Sequence, residues 1–246
     1  MSLGIVAVTP GGIVVGVDSA VTSQSQGQEY SLAGYPKILD RDDAVQTIAF
    51  VGDMRIGEQG RDSWFYAWLH KFLRDVASSP GTMETATELA GALNTEALPY
   101  GQHHDVILAA WEGEKEEDRR PTVWEVSTGP ERGEYKARQR LAQSDADVIV
   151  KARQQAGPEF PVFFFHMGVP PGLVSWLVHE ARPKFSELIG APVPHPSVEG
   201  MEEFVRFVLN IAGDLYWLAG SQRYVSGPFT TTILLPHAAN AFTRRR

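Results

Sequence analysis

The first fifty residues are dense in β-branched and apolar side chains, broken by short polar gaps. That pattern predicts four short strands: Gly4–Val8, Ile13–Asp18, a shorter one around Lys37–Leu39, and Val45–Val51. Pro10-Gly11-Gly12 separates the first two at hairpin spacing, with glycines available for positive φ. The polar stretch Ser23–Gln28 reads as a connector. The period then changes. From Ser63, Trp64, Trp68, Phe72 and Val76 recur every four positions with Phe65, Leu69 and Leu73 beside them, which predicts an amphipathic helix over 63–77. A second helix starts at Thr82, with Met83, Ala86, Leu89, Ala90, Leu93 and Ala97 on one face. Strands resume at Val106–Trp111 and Val123–Val126, split by the charged loop Glu112–Arg120. Residues 138–161 are polar and irregular, with a short helix expected near Ala146–Gln155. After the apolar Val162–Phe165, two more helices are expected. One lies near Pro171–Ile189, the other runs from an N-cap at Ser197 to about Leu218, and a final strand covers Phe229–Leu235.

Strands and helices therefore come in blocks, not in βαβ alternation. This argues for α+β and against a doubly wound parallel sheet. No linker rich in Pro, Gly or Ser divides the chain, so residues 1–246 read as one layered domain.

Composition narrows the function classes. A net charge of −8 and a pI near 5.4 speak against a nucleic-acid binder, which needs a clustered basic surface. The one dense basic cluster, Arg244-Arg245-Arg246, reads as a solvated tail. With no cysteine, thiolate metal sites and a Cys nucleophile are excluded. The longest apolar runs fall well short of the ~20 residues of a membrane helix. With no signal-peptide pattern at the start, a cytoplasmic protein is expected.

The candidate chemistry begins where the run Ile13, Val14, Val15 and Val17 ends on Asp18. A carboxylate beside a buried strand needs a cation or several donors. Lys37, nineteen residues on at the start of the next strand, can supply that cation, and its charge would lower the pKa of a nearby amine or hydroxyl. Hairpin pairing brings the chain start into the same region. Removal of Met1 would leave Ser2 with a free α-amine of pKa ~8, a usable base near neutrality. A hydroxyl nucleophile, a built-in amine base and a charged lysine make an activated-nucleophile arrangement. Three other features read as ordinary structure. Adjacent His103 and His104 would point to opposite faces of a strand, so with Asp105 they read as a surface loop, not a metal site. Ser144-Asp145 reads as a loop pair. The Trp64/Trp68/Phe72 stripe reads as helical core or subunit interface.

The opening SLGIVAVTPGGIVVGVDSAVTS, the lysine-bearing YPKIL and the segment IAFVGD resemble the proteasome β-subunit group of N-terminal nucleophile hydrolases, which includes the peptidase subunit of a bacterial ATP-dependent protease. The resemblance is clearest over residues 2–53. It implies a four-layer αββα sandwich and hydrolysis of peptide or amide bonds in a peptide or protein substrate. It also implies a ring-shaped homo-oligomer and an ATPase partner, with neither cofactor nor metal. Residue by residue, Ser2 stands at the catalytic threonine, Asp18 at the carboxylate and Lys37 at the lysine. Ala49 stands near the glycine whose N–H forms the oxyanion hole. Gly168, in HMGVP, lies where the family has a glycine turn. In RYVSG, Ser226 and Gly227 match a later motif, but Arg223 replaces its aspartate. Residues 138–161 look like an insertion relative to the family. Val21 and Ile48 are expected near a pocket suited to an apolar side chain. The alternative is a catalytically inactive relative serving as an oligomeric scaffold or binding protein.

Overall fold

β1 (Leu3–Thr9) and β2 (Gly12–Val17) are buried along their whole length, and alternation divides their side chains between two cores. Val6, Val8, Ile13, Val15 and Val17 enter one apolar cluster, while Leu3, Ile5, Ala7 and Val14 enter another. A strand covered on both faces reads as an unbroken apolar run, which is why this segment shows so little alternation. The computed structural model describes residues 2–25, 28–32, 34–41, 44–58, 63–75, 81–129, 133–155, 161–168, 197–218, 228–237 and 242–245, with isolated positions between 172 and 180.

The remaining strands are β3 (Val21–Ser25), β4 (Gln28–Leu32), β5 (Ile38–Asp40), β6 (Gln46–Gly52), β7 (Arg55–Ile56), β8 (Ser63–Trp64), β9 (His104–Glu112), β10 (Arg120–Ser127), β11 (Lys136–Gln139), β12 (Phe163–Gly168), β13 (Thr230–Leu234) and β14 (Phe242–Arg245). The α-helices whose full range is described are α1 (Phe65–Asp75), α2 (Thr82–Glu96), α3 (Gln143–Gln155) and α4 (Val198–Leu218). Two five-stranded antiparallel sheets form, in the orders β12-β1-β2-β13-β14 and β11-β10-β9-β6-β5. Their inner faces meet through Val6, Val15, Ala49, Val51, Ile107 and Ala109. The outer face of the first sheet packs on α4 through Met201, Val205, Val208 and Leu209. The outer face of the second, with Ile48, Phe50 and Leu108, packs on α1 and α2 through Phe65, Leu69, Leu89 and Leu93. The architecture is thus an αββα sandwich. Gly16 lets α4 approach closely: a Cβ there would lie 2.5 Å from Val205 Cγ1.

Several expectations change. The stretch Ser23–Gln28 is not a plain connector but part of the β3–β4 hairpin, paired from Val21↔Leu32 to Ser25↔Gln28. Its polar residues hid the strand signal. Arg244 and Arg245 are not a solvated tail in their backbone; they pair with Thr231 and Thr230 as the edge strand β14. The short helix near Ala146–Gln155 starts at Gln143 and so takes in Ser144-Asp145. Its Ala146 and Ile149 join the core between the sheets. Most of the helix expected near Pro171–Ile189 lies outside the described residues. On α1 the core-facing residues are Phe65, Leu69 and Leu73, while Trp64 stays 44% exposed. No helix among the described residues is long and apolar enough to cross a membrane.

Candidate active site

Strand ends build this site. Asp18 follows the last residue of β2, and its amide donates to the Leu3 carbonyl (3.1 Å), so the ends of β1 and β2 are tied together. Its carboxylate is fully buried and accepts three donors. Leu3 N–H reaches Oδ1 at 2.9 Å, Ala20 N–H reaches Oδ2 at 3.1 Å, and Lys37 Nζ lies 3.3 Å from Oδ1. That answers the charge at the end of the apolar run: it is paired and hydrogen-bonded, as a buried carboxylate must be.

Lys37 is delivered by the segment ahead of β5. Ser19 Oγ accepts from Gly34 N–H (2.9 Å), Tyr35 N–H donates to the Ser19 carbonyl (3.2 Å), and Phe50 N–H donates to the Lys37 carbonyl (3.0 Å). The Lys37 side chain is fully buried, and Nζ donates to Ser2 Oγ (2.8 Å), to the Ala20 carbonyl (2.5 Å) and to Asp18. An ammonium has three protons, and here each has an acceptor. Ser2 Oγ therefore faces a donor, and its own proton must leave in another direction.

Burial holds the Lys37 pKa below its ordinary value, with Asp18 opposing the shift. Burial likewise pushes Asp18 up, against the pull of Lys37 and of the Leu3 and Ala20 amides. Desolvation is the larger influence on both. Ser2 itself is half-buried and is positioned from the far part of the chain. Leu3 pairs with Gly168, whose φ is +90°, and a Cβ on Gly168 would lie 1.9 Å from the Ser2 carbonyl oxygen. Only glycine fits both the conformation and the contact.

The other expected residues are less closely joined to the triad. Ala49 lies within β6, fully buried, opposite Ile38 on β5 and Ile107 on β9. Because Phe50 N–H points to β5, alternation turns the Ala49 amide toward β9. Ile48 faces α1 and α2 and lines no pocket beside Ser2, a correction set by the alternation of β6. Ser226, Gly227 and Arg223 lie outside the described residues, as does the Val21 side chain. His104 is not a surface loop residue. It opens β9, is buried, and stacks on Phe65 at 3.9 Å between ring centroids. The Ala20 carbonyl, the Leu3 amide and the cluster in which Trp64 packs on Tyr35 with the Arg55 guanidinium over its ring carried no sequence signal. A cleft of about 790 Å³, lined by Arg41, Thr82, Trp111, Glu112 and Arg120 among others, sits at the opposite strand ends and shares no residue with the triad.

No protein-family model matches the sequence, and no curated protein matches it. Solved structures match it in three dimensions. HslV from Trypanosoma brucei superposes with a TM-score of 0.53 at 13% identity, over 95% of this chain and 99% of that one. The Gly-1 mutant of Anbu from Hyphomicrobium sp. strain MC1 superposes with a TM-score of 0.54 at 10% identity, over 100% of this chain and 88% of that one. At such identities the likeness is one of fold: the chain has the αββα sandwich of the proteasome-like N-terminal nucleophile hydrolases.

Proposed function

We propose that this protein is an N-terminal nucleophile hydrolase cleaving peptide or amide bonds, with Ser2 as nucleophile once Met1 has been removed. One observation carries the reading: a fully buried Lys37–Asp18 pair whose ammonium donates to Ser2 Oγ at 2.8 Å. A structural ion pair needs no serine hydroxyl at its open end.

In the proposed reaction, Ser2 Oγ attacks the carbonyl carbon and its proton passes through a water to the Ser2 α-amine. Lys37 lowers the pKa of both groups by its charge, and Asp18 keeps Lys37 oriented. The tetrahedral oxyanion needs a backbone donor, worth about 3 kcal/mol in comparable sites. The Ala49 amide, expected there by resemblance, is turned toward β9 and is not free to donate, so the donor has to be another backbone amide; Ser226 supports the amine by resemblance. The intermediate collapses as the α-ammonium gives its proton to the leaving amine. Water then hydrolyses the ester on Ser2, with the α-amine again acting as base.

The test is labelling with a peptide epoxyketone or β-lactone followed by peptide mapping. A covalent adduct on Ser2 is expected, absent from Ser2→Ala and Lys37→Ala. No adduct in protein shown by intact mass to lack Met1 would overturn the reading and leave an oligomeric scaffold.

We also propose that the protein works as a homo-oligomer, a ring by resemblance. The exposed Trp64 and the half-buried Trp68 and Phe72 on α1 offer an apolar contact face. Light scattering should return a multiple of 27.1 kDa; a monomer across micromolar concentrations would contradict this.

A further inference from the structure

Lys37 reaches the nucleophile on irregular backbone, residues 34–37, just ahead of β5. Gly34 opens that segment at φ +90°, and Pro36 has no amide to donate. The two amides ahead of Lys37 both go to one residue. Gly34 N–H donates to Ser19 Oγ (2.9 Å), and Tyr35 N–H donates to the Ser19 carbonyl (3.2 Å). Ser19 is buried. The next fixed point is the Lys37 carbonyl, which accepts from Phe50 N–H (3.0 Å).

Ser19 also stands between the two residues that hold the far end of the lysine. Asp18 Oδ1 and the Ala20 carbonyl accept from Nζ at 3.3 and 2.5 Å. The Ala20 amide closes back on Asp18 Oδ2 at 3.1 Å. Residues 18–20 therefore grip Lys37 twice, at the ammonium through the outer two and at the approaching backbone through the middle one. The remaining proton of the ammonium goes to Ser2 Oγ at 2.8 Å. A lysine stem is flexible, so Nζ keeps one place only when both of its ends are fixed.

We propose that Ser19 is a positioning residue for Lys37, its hydroxyl and carbonyl together setting the ammonium against the Ser2 hydroxyl and α-amine. The inference rests on the proposed function, because only a Ser2 freed of Met1 carries that amine. Without the Gly34 bond, residues 34–36 gain slack and Nζ retreats toward Asp18 and the Ala20 carbonyl. Its charge then acts on Ser2 from farther away, so the hydroxyl and the amine both become harder to deprotonate. A serine that only closed a loop would show its loss in stability and nowhere else.

The experiment compares Ser19→Thr with Ser19→Val, two β-branched side chains of like shape that differ in the hydroxyl. One readout is the titration midpoint of the Ser2 α-amine, from competitive acetylation across pH in protein lacking Met1. The other is the rate of β-lactone labelling at Ser2. In Ser19→Val the midpoint should rise by about 0.5 unit. Labelling at saturating probe should slow about tenfold, with the half-saturating concentration unchanged. Ser19→Thr should stay near the parent in both. Ser19→Ala replaces Ser19→Val in the comparison if the latter does not fold. Equal midpoints and rates with and without the hydroxyl overturn the proposal, whether or not the thermal transition falls. The two ideas fail separately. A midpoint that moves in protein that never labels at Ser2 keeps the clamp and removes the hydrolase. Labelling that is the same in every variant, with unmoved midpoints, does the reverse.

Discussion

Two buried polar groups lie at the same end of the sandwich and are treated in opposite ways. The Lys37–Asp18 pair is fully enclosed and every polar atom has a partner, down to the three protons of the ammonium. His104 is as deeply buried, yet neither ring nitrogen has a hydrogen-bond partner among the described residues, and the ring is held by stacking on Phe65. The stack continues through Trp68 and Phe72 along α1. The first arrangement keeps two charges in a low-dielectric site by saturating them. The second keeps a titratable ring there by denying it a charge. Burial lowers the His104 pKa to about 3, with the Asp53 backbone opposing the shift and His103 adding to it. Saturation suits groups that stay charged, and neutrality suits a ring that must pack.

The comparison breaks most visibly when one member of the pair is removed. Asp18→Ala leaves the Lys37 ammonium buried without its carboxylate, and a loss of about 3–5 kcal/mol is expected in urea unfolding at pH 7. The double variant Asp18→Leu, Lys37→Met should recover much of that stability while losing all Ser2 labelling. If the single variant unfolds at the parent's urea midpoint, the pair is less enclosed than described.

The next effect concerns acid. A folded pKa of about 3, against 6.5 unfolded, means that the unfolded chain takes up the His104 proton first. The contribution to stability is whole above pH 6.5 and is lost as pH falls toward 3, at about 1.4 kcal/mol per unit. His104→Leu should therefore be close to the parent at pH 7 and more stable than it by about 3 kcal/mol at pH 4. Equal stability of the two proteins at pH 4 would show that the ring is not held neutral.

The same contrast explains what could be read in advance. β1, β2 and β6 were legible because both their faces are covered, and Asp18 and Lys37 because charges at the ends of such runs stand out. Residues 21–32 were not, since a hairpin whose strands read VTSQS and QEYSL carries no apolar alternation. His103-His104-Asp105 reads as a surface loop from its polarity, although the alternation of β9 extends to His104 and Asp105. His104 falls in line with Val106 and Leu108, and Asp105 with Ile107 and Ala109. An apolar period running through polar residues was the signal. The placement of Ser2 against Gly168 could not be read at all, because a contact across such a sequence distance leaves no local trace.

That contact also sets a timetable. Lys37 and Asp18 lie among the first forty residues to emerge, but the surface that seats Ser2 is completed by Gly168, 166 positions after Ser2. Contacts of such long range close late in folding, after the entropy of the intervening loop has been overcome. A chain still being synthesised would hold Lys37 and Asp18 long before the seat for Ser2 exists, so the complete cluster can assemble only once β12 has emerged.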